Sequence, residues 1–235
     1  MPSSPFTFFR SALLSLDAIF SPARRQPAQA LLVMLHGWGA NAQDVAALAD
    51  YIDLPGFAFC FPNGPFPFPH SPIGRMWYDL PADYSFFSLP TFRQQPQVQE
   101  SRQRLIDWLL SLEATTGIPL AHTVLAGFSQ GGAMTLEVGL QLPLAALLVL
   151  SGYTHAPIEE ISEPAPPVLV AHGCYDQVVP LLAAQQTQRR LIELGINVQY
   201  HEFAMGHEIQ PSVLKLMQSF IEEIMLPPDS LEQPL

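Results

Sequence analysis

Residues 123–134 read Thr-Val-Leu-Ala-Gly-Phe-Ser-Gln-Gly-Gly-Ala-Met. The apolar run at 123–126 has the length of a buried strand, and the pattern at 131–142 is that of a helix. Between them, Gly127-Phe128-Ser129-Gln130-Gly131 matches the G-x-S-x-G pattern of a nucleophile elbow. Glycines on so sharp a turn avoid clashes with the strand and the helix, so that the serine hydroxyl projects above the sheet. The stretch predicts that Ser129 is a nucleophile, and the alternative is an ordinary glycine-rich turn.

Strands and helices alternate along most of the chain on both sides of this turn. Such alternation is typical of a mostly parallel sheet with helices on both faces. The predicted strands are 31–35, 57–61, 123–126, 145–150, 167–171 and 198–203. The predicted helices are 42–51, 98–112, 131–142, 181–194 and 209–224. The sequence therefore predicts an α/β fold.

The composition fits one compact domain. The chain has 235 residues, of which 49% are hydrophobic and 13% are charged, so it can bury a full core. We predict an N-terminal extension at 1–30 with an edge strand, a main domain at 31–225 and a flexible tail at 226–235. The apolar stretch after Arg10 has some likeness to a signal peptide, but Asp17 interrupts it.

Charge and cysteine content exclude several kinds of partner. Ten basic residues against 21 acidic ones give a net charge of −11, which disfavours binding to a nucleic-acid backbone. No apolar run reaches the roughly eighteen residues of a membrane span. Cys60 and Cys174 cannot build a disulfide framework or a tetrahedral zinc site, and the histidines lack metal-ligand spacing. We predict a cytoplasmic location, no metal and no cofactor.

A serine nucleophile needs a base, and the base needs a carboxylate that fixes its tautomer. After an elbow of this kind the chain order is serine, acid, histidine. Asp176 is the one aspartate between Ser129 and the last histidine, and it follows a predicted strand. Glutamates in that interval lie before this strand, on a helix or, for Glu202, within a strand. Of the two later histidines, His201 lies inside a strand, where we expect packing, and His207 follows it. The sequence predicts Asp176 as the acid and His207 as the base.

The oxyanion formed by attack of Ser129 needs backbone N–H donors. We predict the N–H of Gln130, which follows the nucleophile, and that of Trp38, in the turn Leu35-His36-Gly37-Trp38-Gly39. His36 and His172 each precede a glycine at a strand end, and we expect them to brace turns.

Residues 62–95, called here the aromatic segment, interrupt the alternation of strands and helices. They hold eight of the 24 aromatic residues. A long loop with this many apolar residues is typically a binding loop or a lid. The alternative is an Ω-loop packed on itself. On the first interpretation, substrate contacts come from Phe66, Phe68, Trp77, Phe86 and Phe87.

Seven short motifs occur in a fixed order along the chain. They are Leu-His-Gly-Trp-Gly (35–39), Phe-Pro-Asn-Gly-Pro (61–65), Arg-Met-Trp-Tyr-Asp (75–79), Gly-Phe-Ser-Gln-Gly-Gly (127–132), Leu-Ser-Gly (150–152), His-Gly-Cys-Tyr-Asp-Gln-Val-Val-Pro (172–180) and Gly-His (206–207). From residue 31 to about residue 224, the set resembles the phospholipase/carboxylesterase family, which includes acyl-protein thioesterases and small bacterial carboxylesterases of the α/β-hydrolase fold. The resemblance implies a triad of Ser129, Asp176 and His207, with Trp38 and Gln130 forming the oxyanion hole.

Two positions depart from the family pattern. Gln177 replaces the usual proline after the aspartate, and Trp38 replaces a residue that is commonly smaller and aliphatic. Neither is a reacting group, but both can change the shape of the pocket.

The resemblance implies a serine hydrolase that cleaves carboxylic esters or thioesters through an acyl-serine intermediate without a cofactor. The substrate would be a small-molecule ester or an acylated protein. The alternatives are a lysophospholipase, a dienelactone-hydrolase-like enzyme and a catalytically silent lipid-binding module. The sequence leaves open whether the chain is a monomer or a homodimer.

Overall fold

A computed structural model of the chain describes residues 7–9 and 16–225. The strands of the main sheet are β1 (Thr7–Phe9), β2 (Ala18–Ser21), β3 (Ala30–Leu35), β4 (Phe57–Pro62), β7 (Thr123–Phe128), β8 (Ala146–Leu150), β9 (Val168–Gly173) and β10 (Val198–Phe203). A separate hairpin is formed by β5 (Phe66–Pro67) and β6 (Arg75–Met76). The helices are α1 (Ala42–Ala46), α2 (Pro96–Thr116), α3 (Gln130–Gly139), α4 (Leu181–Glu193) and α5 (Pro211–Met225).

The main sheet has the order β1-β2-β4-β3-β7-β8-β9-β10 in the described residues. β4, β3, β7, β8, β9 and β10 run parallel, while β1 and β2 add an antiparallel edge. The predicted mostly parallel α/β fold is confirmed. β1 and β2 lie within the segment predicted as an N-terminal extension, whereas the predicted tail at 226–235 lies outside the described residues.

Helices cover both faces of the sheet, and the side chains of β3 illustrate how. Leu31, Val33 and Leu35 pack on the face under α2, α3 and α4, whereas Leu32 and Met34 pack on the face under α1 and α5. Because both faces are covered, the central strands are continuously apolar rather than alternating. Among the described residues, no helix is both long and apolar enough to cross a membrane.

The sheet topology gives the site its position. From β3 the chain builds outward to β4 and then crosses back to add β7 on the other side of β3. Such a reversal leaves a crevice at the carboxyl ends of the two adjacent strands, where open α/β sheets bind ligands.

Candidate active site

The predicted catalytic residues meet at one edge of the sheet. Ser129, Asp176 and His207 follow β7, β9 and β10, whose parallel direction brings their carboxyl ends to the same edge. The turn that contains Trp38 follows β3, the neighbour of β7. Each residue thus comes from a different strand end.

The elbow has the strained backbone that its sequence predicts. Ser129 has φ 54° and ψ −116°, a left-handed conformation that costs a non-glycine residue about 1–3 kcal/mol. A Cβ at Gly127 would collide with the main chain of Gly131, and a Cβ at Gly131 would collide with the carbonyl of Leu35. The glycines therefore let α3 begin directly against β7 and the end of β3.

Asp176 and His207 form a direct hydrogen bond. His207 Nδ1 donates to Asp176 Oδ2 over 2.7 Å, and the other carboxylate oxygen accepts from the backbone N–H groups of Val178 at 2.8 Å and Val179 at 2.9 Å. Burial opposes the charged carboxylate, but the hydrogen bonds from His207 and Val179 outweigh it and lower the pKa of Asp176. The carboxylate is therefore ionised at neutral pH and holds His207 in the tautomer that leaves Nε2 unprotonated.

The ring of His207 lies beside the elbow. Its centroid is 4.8 Å from that of Phe128, the residue before Ser129. His201 is exposed on β10, so the prediction that its ring packs in the fold is wrong. Solvent rather than core surrounds it because β10 is a half-buried strand at the edge of the described sheet.

Two other histidines hold the loops of the site, as predicted. His36 Nδ1 donates to the carbonyl of Gly37 at 2.7 Å, and its Nε2 accepts from the N–H of Gly64 at 2.9 Å. Burial lowers the pKa of His36 to about 4, so the ring is neutral at pH 7. His172 Nε2 donates to the carbonyl of Val179 at 2.9 Å, in the loop that carries Asp176.

The two N–H groups predicted for the oxyanion hole, those of Trp38 and Gln130, have no hydrogen-bond acceptor among the described residues. Gln130 is the first residue of α3, so its N–H lacks an intrahelical acceptor and lies at the positive end of the helix dipole. The Trp38 turn packs against the nucleophile, since a Cβ at Gly37 would lie 3.4 Å from Ser129 Cβ. Within the part of the chain that the structure describes, the Trp38 N–H donates to no acceptor.

Comparison with known proteins places the chain in a family. The model of the phospholipase/carboxylesterase family matches residues 17–225. The chain belongs to the phospholipase/carboxylesterase family. The match covers the strand ends that carry Trp38, Ser129, Asp176 and His207.

Individual members of the phospholipase/carboxylesterase family are moderately similar in sequence. Acyl-protein thioesterase 1 of Neurospora crassa is 33% identical over 158 residues, which are 63% of this chain and 64% of that protein. Carboxylesterase SOBER1 of Arabidopsis thaliana is 27% identical over 83% of this chain and 90% of its own length. The crystal structure of esterase PE8 superposes with a TM-score of 0.80 at 34% identity, covering 89% of this chain and 99% of that one.

The side chain of Gln130 has a role that the family motif did not reveal. Its Oε1 accepts from the N–H of Trp77 at 2.9 Å, and its Nε2 donates to the carbonyl of Tyr78 at 2.7 Å. Trp77 is fully buried and donates through Nε1 to the carbonyl of His36 at 3.0 Å. Trp77 thus fastens the aromatic segment to the elbow, and its ring does not reach the surface.

The other four rings named from the sequence are half-buried and fall into two groups. Phe68 packs edge-to-face against Trp38 with centroids 4.7 Å apart, and Phe66 lies in the hairpin beside it. Phe86 and Phe87 pack instead against a buried cluster of Ala133, Tyr153, Val179 and Ala183. Since Ala133 is one helical turn after Ser129 and the N–H of Val179 binds the Asp176 carboxylate, this cluster borders the predicted catalytic residues.

A buried polar network, also missed from the sequence, anchors the end of the aromatic segment. Arg93 donates to both carboxylate oxygens of Glu137, at 2.6 and 2.9 Å. Burial opposes the charge of Glu137, but its bonds with His155 and Arg93 lower its pKa to about 2. His155 Nδ1 lies 3.1 Å from the hydroxyl of Tyr78. A glutamate on a helix and an arginine 44 residues away carry no local pattern that would predict this contact.

Proposed function

We propose that this family member is a carboxylic ester hydrolase in which Ser129 is the nucleophile, His207 the general base and Asp176 the residue that orients it. The proposal rests on one observation above all. The 2.7 Å bond between His207 and Asp176 lies at the sheet edge where Ser129 is held on its strained elbow.

In the first half of the reaction, Ser129 Oγ attacks the carbonyl carbon while its proton passes to Nε2 of His207. The ionised Asp176 stabilises the imidazolium without taking its proton. The N–H groups of Trp38 and Gln130 donate to the oxyanion, and each such donor contributes on the order of 3 kcal/mol. When the intermediate collapses, His207 protonates the departing alcohol or thiol, and the acyl group stays on Ser129.

In the second half, His207 takes a proton from water, which attacks the acyl-serine ester. The same N–H groups stabilise the second oxyanion, and the carboxylic acid leaves as Ser129 recovers its proton from His207. Apart from the substrate and this water molecule, every group used in the two halves belongs to the chain.

Thioesters are included among the substrates because the relatives include both an acyl-protein thioesterase and a carboxylesterase. Sulfur is a better leaving group than oxygen, and both reactions need the same oxyanion. We further propose that Phe66, Phe68, Phe86 and Phe87 contact the acyl group, and that the buried Trp77 holds the aromatic segment against the elbow. The cytoplasmic location stays a prediction.

Replacement of the nucleophile tests the proposal. Ser129→Ala should lower turnover of p-nitrophenyl acetate by about 10⁴ to 10⁶ while leaving the thermal midpoint within a few degrees, because alanine fits the elbow but lacks the hydroxyl. Ser85→Ala, at an exposed serine of the aromatic segment, is the control and should behave as wild type. More than a few per cent of residual activity in Ser129→Ala would rule out the assignment.

The substrate class needs a separate measurement. kcat/KM should be compared across p-nitrophenyl esters of increasing acyl length and an acyl-cysteine peptide. A rise with chain length that extends to the peptide favours an acylated protein as substrate, whereas a maximum at acetate favours small esters. Activity on none of these compounds would favour the silent lipid-binding alternative.

A further inference from the structure

The loops around Ser129 include long segments without charged residues. Five of their segments contain none of the ten basic and 21 acidic residues: 36–43, 63–74, 84–92, 151–158 and 177–188. Four of them follow the carboxyl end of a parallel strand, and 84–92 comes later in the aromatic segment, after the β5–β6 hairpin. These segments make up about a fifth of the chain, so its charge is concentrated on the rest of the molecule.

Large apolar side chains are exposed at this same edge. Of the nine that are exposed within residues 16–225, six belong to it and are called here the apolar rim: Trp38 (40% exposed), Ile73 (72%), Leu89 (44%), Tyr175 (69%), Val178 (52%) and Leu182 (46%). Single exposed apolar residues are common, but their collection around one opening marks an interaction surface.

Contacts place the rim on both sides of the nucleophile. Trp38 follows Gly37, which lies against Ser129, and Ile73 precedes Gly74, which packs against the carbonyl of Gly39. Across the site, Tyr175 and Val178 lie one and two residues from Asp176, and Leu182 follows in the first turn of α4. Any surface that covers the rim also covers the mouth of the site.

The charge around the apolar rim indicates which kind of partner surface can cover it. Near the rim, Glu208 is exposed and acidic, whereas Arg75 is half-buried and donates to the carbonyls of Gly64 and Pro65. Together with the net charge of −11, this favours repulsion of an anionic surface. Tryptophan and tyrosine rings, as at Trp38 and Tyr175, are the side chains that prefer the boundary between lipid and water.

We propose that the apolar rim docks the enzyme on a zwitterionic phospholipid surface, so that an acyl chain passes from lipid to Ser129 without crossing water. This inference rests on the proposed function for the chemistry at Ser129. Docking itself does not require the serine hydroxyl, so the two can be tested apart.

Binding is measured with the Ser129→Ala variant, which leaves lipid intact, and vesicles of phosphatidylcholine or phosphatidylglycerol. Trp38 is exposed whereas Trp77 and Trp108 are buried, so a blue shift of tryptophan emission reports insertion of the rim. We expect cosedimentation and a blue shift with phosphatidylcholine, and binding at least about tenfold weaker with phosphatidylglycerol at low salt.

Matched substitutions then identify the surface. Ile73→Ser/Tyr175→Ser/Leu182→Ser should weaken binding to phosphatidylcholine by about tenfold or more, because three apolar side chains no longer leave water. Tyr51→Ser/Leu110→Ser/Ile192→Ser changes the three exposed apolar residues outside the rim and should bind as before. Circular dichroism establishes that both triple variants are folded.

The outcomes that overturn the proposal are distinct from failure of the proposed function. Lack of binding to phosphatidylcholine, tighter binding to phosphatidylglycerol, or equal losses in the two triple variants would each overturn it. A dimer that only the rim substitutions dissociate would assign the rim to a second copy of the chain. Hydrolysis of p-nitrophenyl acetate by wild type without lipid tests the function at Ser129 independently of all these results.

Discussion

The Asp176 carboxylate receives three hydrogen bonds within the described chain, and their arrangement makes Asp176→Asn informative. One oxygen accepts from the N–H groups of Val178 and Val179, and the other accepts from His207. In the variant, the amide oxygen should keep the two backbone donors, so that its NH₂ group faces His207 Nδ1. His207 would then accept at Nδ1 and carry its proton on Nε2, where it cannot act as a base. We expect kcat/KM to fall by about four orders of magnitude with the fold retained.

Glu202→Gln is the control for this prediction. Glu202 is an exposed carboxylate on β10 that accepts from Gln185 and Tyr200, and it was the competing acid in the sequence. Its replacement should leave kcat/KM for p-nitrophenyl acetate within a few fold of wild type. If activity survived in Asp176→Asn and vanished in Glu202→Gln, the acid would be Glu202.

Candidate site residues could be named from the sequence where a short motif carries the chemistry. Ser129, Asp176 and His207 could be named because the elbow pattern fixes one residue and the chain order then leaves few candidates. The side-chain role of Gln130 and the Arg93–Glu137 contact could not, because Gln130 binds Trp77 53 residues away and Arg93 binds Glu137 44 residues away. Contacts of that range depend on how loops cross, which no local pattern encodes.

At the level of elements, the aromatic segment contains two groups of rings. Trp77, Tyr78 and Phe92 are buried as an Ω-loop packed on itself would require, whereas Phe86 and Phe87 are half-buried beside the predicted catalytic residues, and their role in a binding loop stays a prediction. Aromatic content alone could not separate the two groups, since both are equally apolar. The central strands β3, β4, β8 and β9 were predictable because their apolar runs are buried on both faces. The helix expected at 42–51 is α-helical only over Ala42–Ala46 and continues as a 3₁₀ helix over Ala47–Tyr51.

Shortening the half-buried rings should alter chain-length preference. If Phe86 and Phe87 contact the acyl chain, each CH₂ they help to bury contributes about 0.8 kcal/mol until the pocket is full. Phe86→Ala/Phe87→Ala should therefore lower kcat/KM for octanoyl more than for acetyl p-nitrophenyl esters. The measurement is the octanoyl-to-acetyl ratio of kcat/KM for the variant and wild type.

Phe92→Ala is the matched control, since this ring is 3% exposed and packs edge-to-face on Tyr78. It should destabilise the fold by roughly 3–5 kcal/mol and leave the ratio unchanged. An unchanged ratio in the double variant, together with a lower melting temperature, would assign Phe86 and Phe87 to the scaffold.

On the scale of the whole molecule, two buried ionisable groups tie the aromatic segment to the rest of the domain. His36 accepts from Gly64 at the start of the segment, and Glu137 binds Arg93 near its end. Both contacts depend on one protonation state. A proton on His36 Nε2 would set two donors against each other, and a proton on Glu137 would remove the charge that Arg93 pairs with. The free energy of unfolding should therefore decrease in acid as each of these two contacts is lost.

The free energy of unfolding should fall in two successive pH windows. His36 has an ordinary pKa of 6.5 when unfolded and about 4 when folded, so the unfolded chain gains a proton first and stability declines from pH 6.5 to 4. Glu137 has a folded pKa of about 2 against an ordinary 4.5, so its contribution is complete above pH 4.5 and is lost as the pH falls to 2. The change in the free energy of unfolding across each window is roughly 3 kcal/mol.

Urea unfolding at several pH values from 2 to 7 tests both windows. In His36→Gln, whose amide oxygen can still accept from Gly64, the free energy of unfolding should depend less on pH above pH 4. Glu137→Gln should flatten the profile below pH 4.5 instead, and a profile that neither substitution changes would place the acid sensitivity of the fold in other groups.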